Sequence, residues 1–78
     1  MPRFKLSDGE NKYIIDISEN SYVWQLIDKL LERYSTTNSN GITLLVGGVP
    51  LEPNKRISDL GLKDGKKIIF SEKYNGGK

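Results

Sequence analysis

The feature that most constrains this chain is a stripe of apolar residues, Val23, Leu26, Ile27, Leu30, Leu31 and Tyr34, the one stretch with a helical repeat. Gln25, Asp28, Lys29, Glu32 and Arg33 cover the opposite side, so the spacing predicts one amphipathic helix. A lone helix with one apolar face has to bury that face against strands. Ser21 stands where its hydroxyl would cap the first free amides of the helix. Trp24 falls at the edge of the stripe, where its ring either shields the flank of the core or serves as a binding anchor.

The remaining apolar residues alternate. Phe4 and Leu6 face one way and Arg3 and Lys5 the other, then Asp8-Gly9 supplies a turn. From Lys12 to Ile17, Tyr13, Ile15 and Ile17 share a face, with Ile14 and Asp16 left outside, so the two runs read as an antiparallel hairpin. After the helix, residues 35–41 contain no apolar side chain and form a loop. Ile42 to Val46 reads as a strand with Ile42 and Leu44 inward and Leu45 outward, ended by Gly47-Gly48. Pro50 and Pro53 each remove a ladder donor, so Val49 to Pro53 is an edge strand or an extended loop. Ile57, Leu60 and Leu62 anchor a short turn-rich segment that Ser58 would cap. Residues 63–66 form a tight turn, and Lys67 to Ser71 the last strand, with Ile68 and Phe70 inward and Ile69 outward. The order of elements predicts an α+β roll, one helix packed across a mixed sheet of four to five strands, with residues 1–72 as the domain and 73–78 as a flexible tail.

Composition narrows the function. Seventy-eight residues allow one domain that buries about 60% of its unfolded surface. There is no cysteine and no histidine, which removes disulfides, thiolate nucleophiles, the common metal ligands and the usual neutral-pH base. The chain is therefore not expected to be an enzyme or to hold a cofactor or metal. Twelve basic and ten acidic residues, net +2, are scattered along its length, so nucleic acid is not an expected partner. No apolar run approaches the roughly 20 residues of a membrane span, and Met1 to Lys5 lacks a signal-peptide core. A cytoplasmic monomer with no membrane partner is the expectation.

With side chains so poor in catalytic types, the chemistry moves to the end of the chain. Gly76-Gly77 lies behind the domain, which suggests that a glycine carboxyl is the group used. Lys78 follows it, so the Gly77-Lys78 peptide bond would have to be cut first. Seven residues from Ser71 to Gly77 span at most about 25 Å when extended. Glycines without a Cβ can thread a narrow channel.

Leu44-Leu45-Val46-Gly47-Gly48-Val49-Pro50-Leu51-Glu52, Ile57-Ser58-Asp59-Leu60-Gly61-Leu62, Ile68-Ile69-Phe70 and Gly76-Gly77 together resemble ubiquitin without a gap, and the earlier half fits the same inward pattern with two one-residue shifts. The chain thus resembles the ubiquitin-like modifier family, whose fold is the β-grasp. That resemblance implies a modifier precursor. It would be processed between Gly77 and Lys78, adenylated at the Gly77 carboxylate by an activating enzyme that consumes ATP, passed to a cysteine, and joined to a target amine. Gly76 would be the slim neighbour of the reacting glycine, and Lys73, Tyr74 and Asn75 the stem read by the activating enzyme. The implied partners are activating and conjugating enzymes, a processing protease or deconjugating metalloprotease, and target proteins.

The resemblance also implies an outward apolar patch for protein docking, formed by Leu45, Gly48, Val49 and Ile69. Ile69 and Ser71 replace a histidine and a valine of ubiquitin's face, and Val49 and Asp64 replace its two best-known acceptor lysines. These departures point to a dedicated conjugation system, bacterial or archaeal, rather than to ubiquitin itself. Two other readings stay open. One is a non-covalent β-grasp adaptor, like the small components of type VII secretion; the other is a sulfur carrier with a thiocarboxylate at Gly77.

Overall fold

The computed structural model describes residues 1–34 and 41–72. Five strands form one mixed sheet: β1 (Arg3–Ser7), β2 (Lys12–Asp16), β3 (Ile42–Val46), β4 (Val49–Pro50) and β5 (Lys67–Glu72). One helix, α1 (Val23–Leu31), packs across it, and a short 3-10 turn spans Ile57–Leu60. The strand order is β2-β1-β5-β3-β4, with the parallel β1–β5 pair at the centre and antiparallel pairs on either side. This is the α+β roll that the alternating runs and the lone helix predict, in the ubiquitin-like β-grasp arrangement that the resemblance implies.

The alternation of the strands becomes the core. Phe4 and Leu6 of β1, Ile15 of β2, Ile42 and Leu44 of β3 and Ile68 and Phe70 of β5 face the helix, where Val23, Leu26 and Leu30 meet them. Ile17 and Ile57 close the ends of this layer. Tyr13 and Tyr34 fold over one flank, with the Tyr34 ring edge-on to Phe70 at 5.0 Å and to Tyr13 at 6.2 Å. Aromatic pairs in this tilt bring the positive edge of one ring to the negative face of another.

The helix is held at its start by distant backbone rather than by Ser21. Val23 and Trp24 donate their N–H groups to the carbonyls of Lys55 and Pro53, at 2.9 and 3.2 Å. The side chain of Gln25 reaches back to accept from the Tyr22 N–H at 2.8 Å. Ser21 instead gives its carbonyl to the Ile57 N–H. The 3-10 turn likewise starts at Arg56, whose N–H reaches the Asp59 carboxylate, and not at Ser58, whose N–H is taken by the Glu19 carbonyl. Both serine caps are thus corrected for one reason: the segment 53–58 runs beside the start of α1, and the two supply each other's partners.

Two turns fix the sheet register. In the first hairpin the Asp8 carboxylate accepts from the N–H groups of Glu10 and Asn11. Hydrogen bonds from Asn11 and Glu10 hold its pKa below the ordinary value. Between β3 and β4, Gly47 and Gly48 take φ of +60° and +83° in succession. That left-handed pair is the two-residue turn whose twist matches antiparallel strands, and glycine adopts it without strain.

Candidate functional site

The register of the five strands lines up the outward side chains in rows. Ser7 is paired with Lys12 on one side and with Ile69 on the other, Ile69 with Leu45, and Leu45 with Pro50. Residues directly opposite one another share a sheet face, so Lys12, Ser7, Ile69, Leu45 and Pro50 form one row across the whole sheet. The next row is Ile14, Lys5 and Lys67. This is the face away from the helix.

Of the predicted patch, Leu45 and Ile69 come together as direct cross-strand neighbours on β3 and β5. Leu45 is half-buried and Ile69 is 43% exposed. Val49 is the most open of the set at 63%, but its register partner is Val46, an inward residue packed against the core. Pro50 rather than Val49 is the residue of β4 that shares the row of Leu45. Val49 therefore flanks the patch from the far side of the edge strand, and Gly48 contributes through the turn it allows. Lys73, Tyr74, Asn75, Gly76, Gly77 and Lys78 lie outside the described residues.

Two groupings, the lysines of the sheet and the Arg33 contact, were not singled out in the sequence, and Trp24, left there between a flank shield and a binding anchor, has surroundings that were not foreseen. Lysines from three strands, Lys5, Lys12 and Lys67, surround Ser7 and border a shallow depression that reaches Gly65. Trp24 is 44% exposed, lies outside the buried cluster and stacks on Tyr22, ring centroids 6.3 Å apart and 9° from parallel. The Arg56 guanidinium sits over the Tyr22 ring at 5.2 Å and donates to its hydroxyl. At the open edge of the sheet, Arg33 crosses from the end of α1 to donate to the Ile14 carbonyl at 3.2 Å, satisfying an acceptor that β2 exposes. No sequence spacing links these residues; each contact joins different elements of the fold.

The electrostatics are those of a solvated surface. Arg3 and Asp16, partners across β1 and β2, form an ion pair at 2.8 Å. The Arg3 hydrogen bond lowers the Asp16 pKa, and Asp16 raises that of Arg3. Among the described residues, no group of three or more acidic residues is placed to hold a metal ion, and no helix is long and apolar enough to cross a membrane. Among the described residues, the outer face brings an apolar strip beside a cluster of lysine side chains.

Comparisons with known proteins agree with this fold. No curated protein matches the chain. Among solved structures, the UBL domain of Plasmodium falciparum Dsk2 superposes with a TM-score of 0.82 at 14% identity, covering 91% of this chain and 96% of that one. A structure described as "Molecular Mimicry of SUMO promotes DNA repair" superposes with a TM-score of 0.80 at 20% identity, covering 90% and 89%. At these identities the match concerns the fold alone. The family described as Ubiquitin-2 like Rad60 SUMO-like matches residues 4–69, which run from Phe4 in β1 to Ile69 in β5 and include β2, β3, β4, the helix and the Leu45–Ile69 pair. The chain belongs to this ubiquitin-like, SUMO-like family.

Proposed function

We propose that this chain is a ubiquitin-like protein-interaction module that docks partner proteins through the outer sheet face centred on Leu45 and Ile69. The observation that carries the reading is the pairing of two apolar side chains directly opposite each other on the solvent side of a sheet whose other face is already filled by the helix. Exposed apolar area of this kind gains free energy only when a partner covers it. Recognition belongs to this face, and any chemistry to the partner.

The same domain suits a second reading, favoured by Gly76-Gly77 following β5 in the sequence: a covalent modifier, cut before Lys78, activated at the Gly77 carboxylate and joined to target amines. Activating and conjugating enzymes and a processing protease would then be among its partners, with ATP consumed by the activating enzyme. The two readings part in one experiment. Tagged full-length protein, Leu45→Asp protein and protein lacking residues 75–78 are expressed in the native host, and bound proteins and conjugates are quantified by mass spectrometry. Docking predicts that Leu45→Asp loses partners that the truncated protein keeps. Conjugation predicts higher-mass adducts that disappear with Gly77→Ala. Equal recovery by all three proteins, with no adducts, overturns both.

A further inference from the structure

Side chains from distant parts of the sequence meet beside the start of α1. Tyr22 and Arg56 pair through their backbones as an isolated antiparallel bridge, flanked by hydrogen bonds of 2.9 Å from the Ile57 N–H to Ser21 and from the Val23 N–H to Lys55. Trp24 follows in the first turn of the helix, its N–H taken by the Pro53 carbonyl. The rings of Trp24 and Tyr22 stack, and the Arg56 guanidinium lies 5.2 Å from the centre of the Tyr22 ring and donates to its hydroxyl at 3.3 Å. Trp, Tyr and Arg are the residue types that dominate binding hot spots. Here the fold holds one of each in contact before any partner arrives, which lowers the ordering cost of binding.

The row offers ring faces, donors and a positive charge. Trp24 is 44% exposed, and among the described residues its indole N–H has no acceptor. The Tyr22 hydroxyl accepts from Arg56 and so keeps its own proton for an outside acceptor. Arg56 is exposed and gives one donor to Tyr22, yet it has no acidic partner; the one ion pair among the described residues is Arg3–Asp16. A matching segment carries carbonyls without N–H groups, flat apolar rings and a carboxylate. Proline supplies the first two, since it has no backbone N–H and its extended helix leaves the carbonyls free for outside donors. Such segments dock on aromatic surfaces at low ordering cost because their shape is preformed. Asp or Glu supplies the third, in a charge-assisted pair with Arg56.

A phosphate chain fits less well. Single strands are held by ring stacking together with a positively charged groove. Exposed Asp28, one turn along α1 from Trp24, and exposed Glu52, beside Pro53, oppose a run of phosphates, whereas one carboxylate needs only Arg56.

We propose that the Trp24–Tyr22–Arg56 row is a docking site for a proline-rich segment of a partner protein that also carries an acidic residue. Proline rings pack on Trp24, the indole and phenol donate to the segment's carbonyls, and Arg56 takes its carboxylate. The site belongs to α1 and the 53–58 segment, so it does not rest on the outer sheet face proposed above.

The test is a titration of the full-length protein with synthetic peptides, read through the emission of Trp24, the one tryptophan of the chain. The probe is a proline-rich peptide that includes Asp. The comparison probes are the same peptide with Ala for Pro, the same peptide with Lys for Asp, and a single-stranded oligonucleotide. The expected result is a saturable change with the probe and binding at least about tenfold weaker with each comparison. Arg56→Gln is expected to weaken the probe by a similar factor, and Arg56→Glu to prefer the Lys peptide. Trp24→Ala, followed by NMR, is expected to lose binding while the core resonances stay in place. Leu45→Asp should bind the probe as the parent does, which separates this site from the outer face. No saturable change with the probe overturns the assignment, as do tighter binding of the oligonucleotide and undiminished probe binding by Arg56→Glu. Loss of binding in Leu45→Asp alone would put the peptide on the outer face and remove this site. Self-association that Trp24→Ala abolishes, with no peptide binding, would assign the row to a second copy of the chain instead.

Discussion

Leu45 and Ile69 face each other across the β3–β5 pair on the side of the sheet that the helix does not cover, while their chain neighbours Leu44 and Phe70 form the next pair in the ladder and are fully buried on the other side. A single strand pairing thus separates binding from folding. Ile69→Asp is expected to leave stability within about 1 kcal/mol of the parent, since it alters an exposed strand position, while abolishing partner capture. Thermal unfolding and a binding assay on the same sample check both halves.

Substitutions on the buried side should behave in the opposite way. Leu30 is fully buried between the sheet and the helix, and Leu30→Ala removes its side chain from a core of a dozen residues. The expected cost is about 2–5 kcal/mol, a large part of the stability of a domain this small. Denaturant unfolding would show a much lower midpoint, or no folded baseline at all.

The lysine pair makes a prediction about stability alone. Lys5→Glu replaces two like charges on neighbouring strands by an ion pair with Lys67, and is expected to stabilise the domain by about 0.2–1 kcal/mol at low salt. The gain should shrink as salt is added. A melting temperature that does not rise would show that the two ammonium groups do not repel through the sheet.

Most of the fold was legible in the sequence because two repeats carry it. Phe4, Leu6, Ile15, Leu44, Ile68 and Phe70 alternate with outward-facing neighbours, and Val23, Leu26 and Leu30 recur at helical spacing; all are buried as that pattern requires. The caps were not legible. The α1 amides are satisfied by the Lys55 and Pro53 carbonyls some thirty residues away, a partner no local rule supplies. The outer face was legible only in part, since Leu45 and Ile69 follow from alternation, whereas placing Val49 and Pro50 needs the register of a two-residue turn. The lysine cluster was hidden because β1 and β5, adjacent in the sheet, stand at opposite ends of the domain's sequence.

That register depends on the turn. At Gly48, φ is +83°, where a β-branched residue is strained even with open space around it. Gly48→Val is expected to destabilise the protein by about 1–3 kcal/mol and to disturb the β3–β4 edge before the rest of the sheet. Amide exchange should accelerate first at Val46 to Leu51.

Acid should weaken the domain in a defined direction. The pKa of Asp8 is lowered by hydrogen bonds from Asn11 and Glu10, and that of Asp16 by its hydrogen bond to Arg3. A carboxylate whose folded pKa lies below its unfolded value adds stability that is fully present above the unfolded value. That stability is lost as pH falls from about the ordinary value of 3.8 through the lowered one. Both groups are exposed, so the effect is small and sensitive to salt. Asp8→Asn with Asp16→Asn should flatten the acid limb of a stability-against-pH curve and leave the neutral region nearly unchanged in slope.

The measurement that bears most directly on the account is site-specific photocrosslinking in the native host, with p-benzoylphenylalanine placed at Ile69 on the outer sheet face or at Trp24 on the exposed aromatic stack. Docking through the outer face predicts discrete crosslinked partners from position 69, lost when Leu45→Asp is added and not captured from position 24. No partner from position 69, or adducts at 69 that persist with Leu45→Asp, would contradict it.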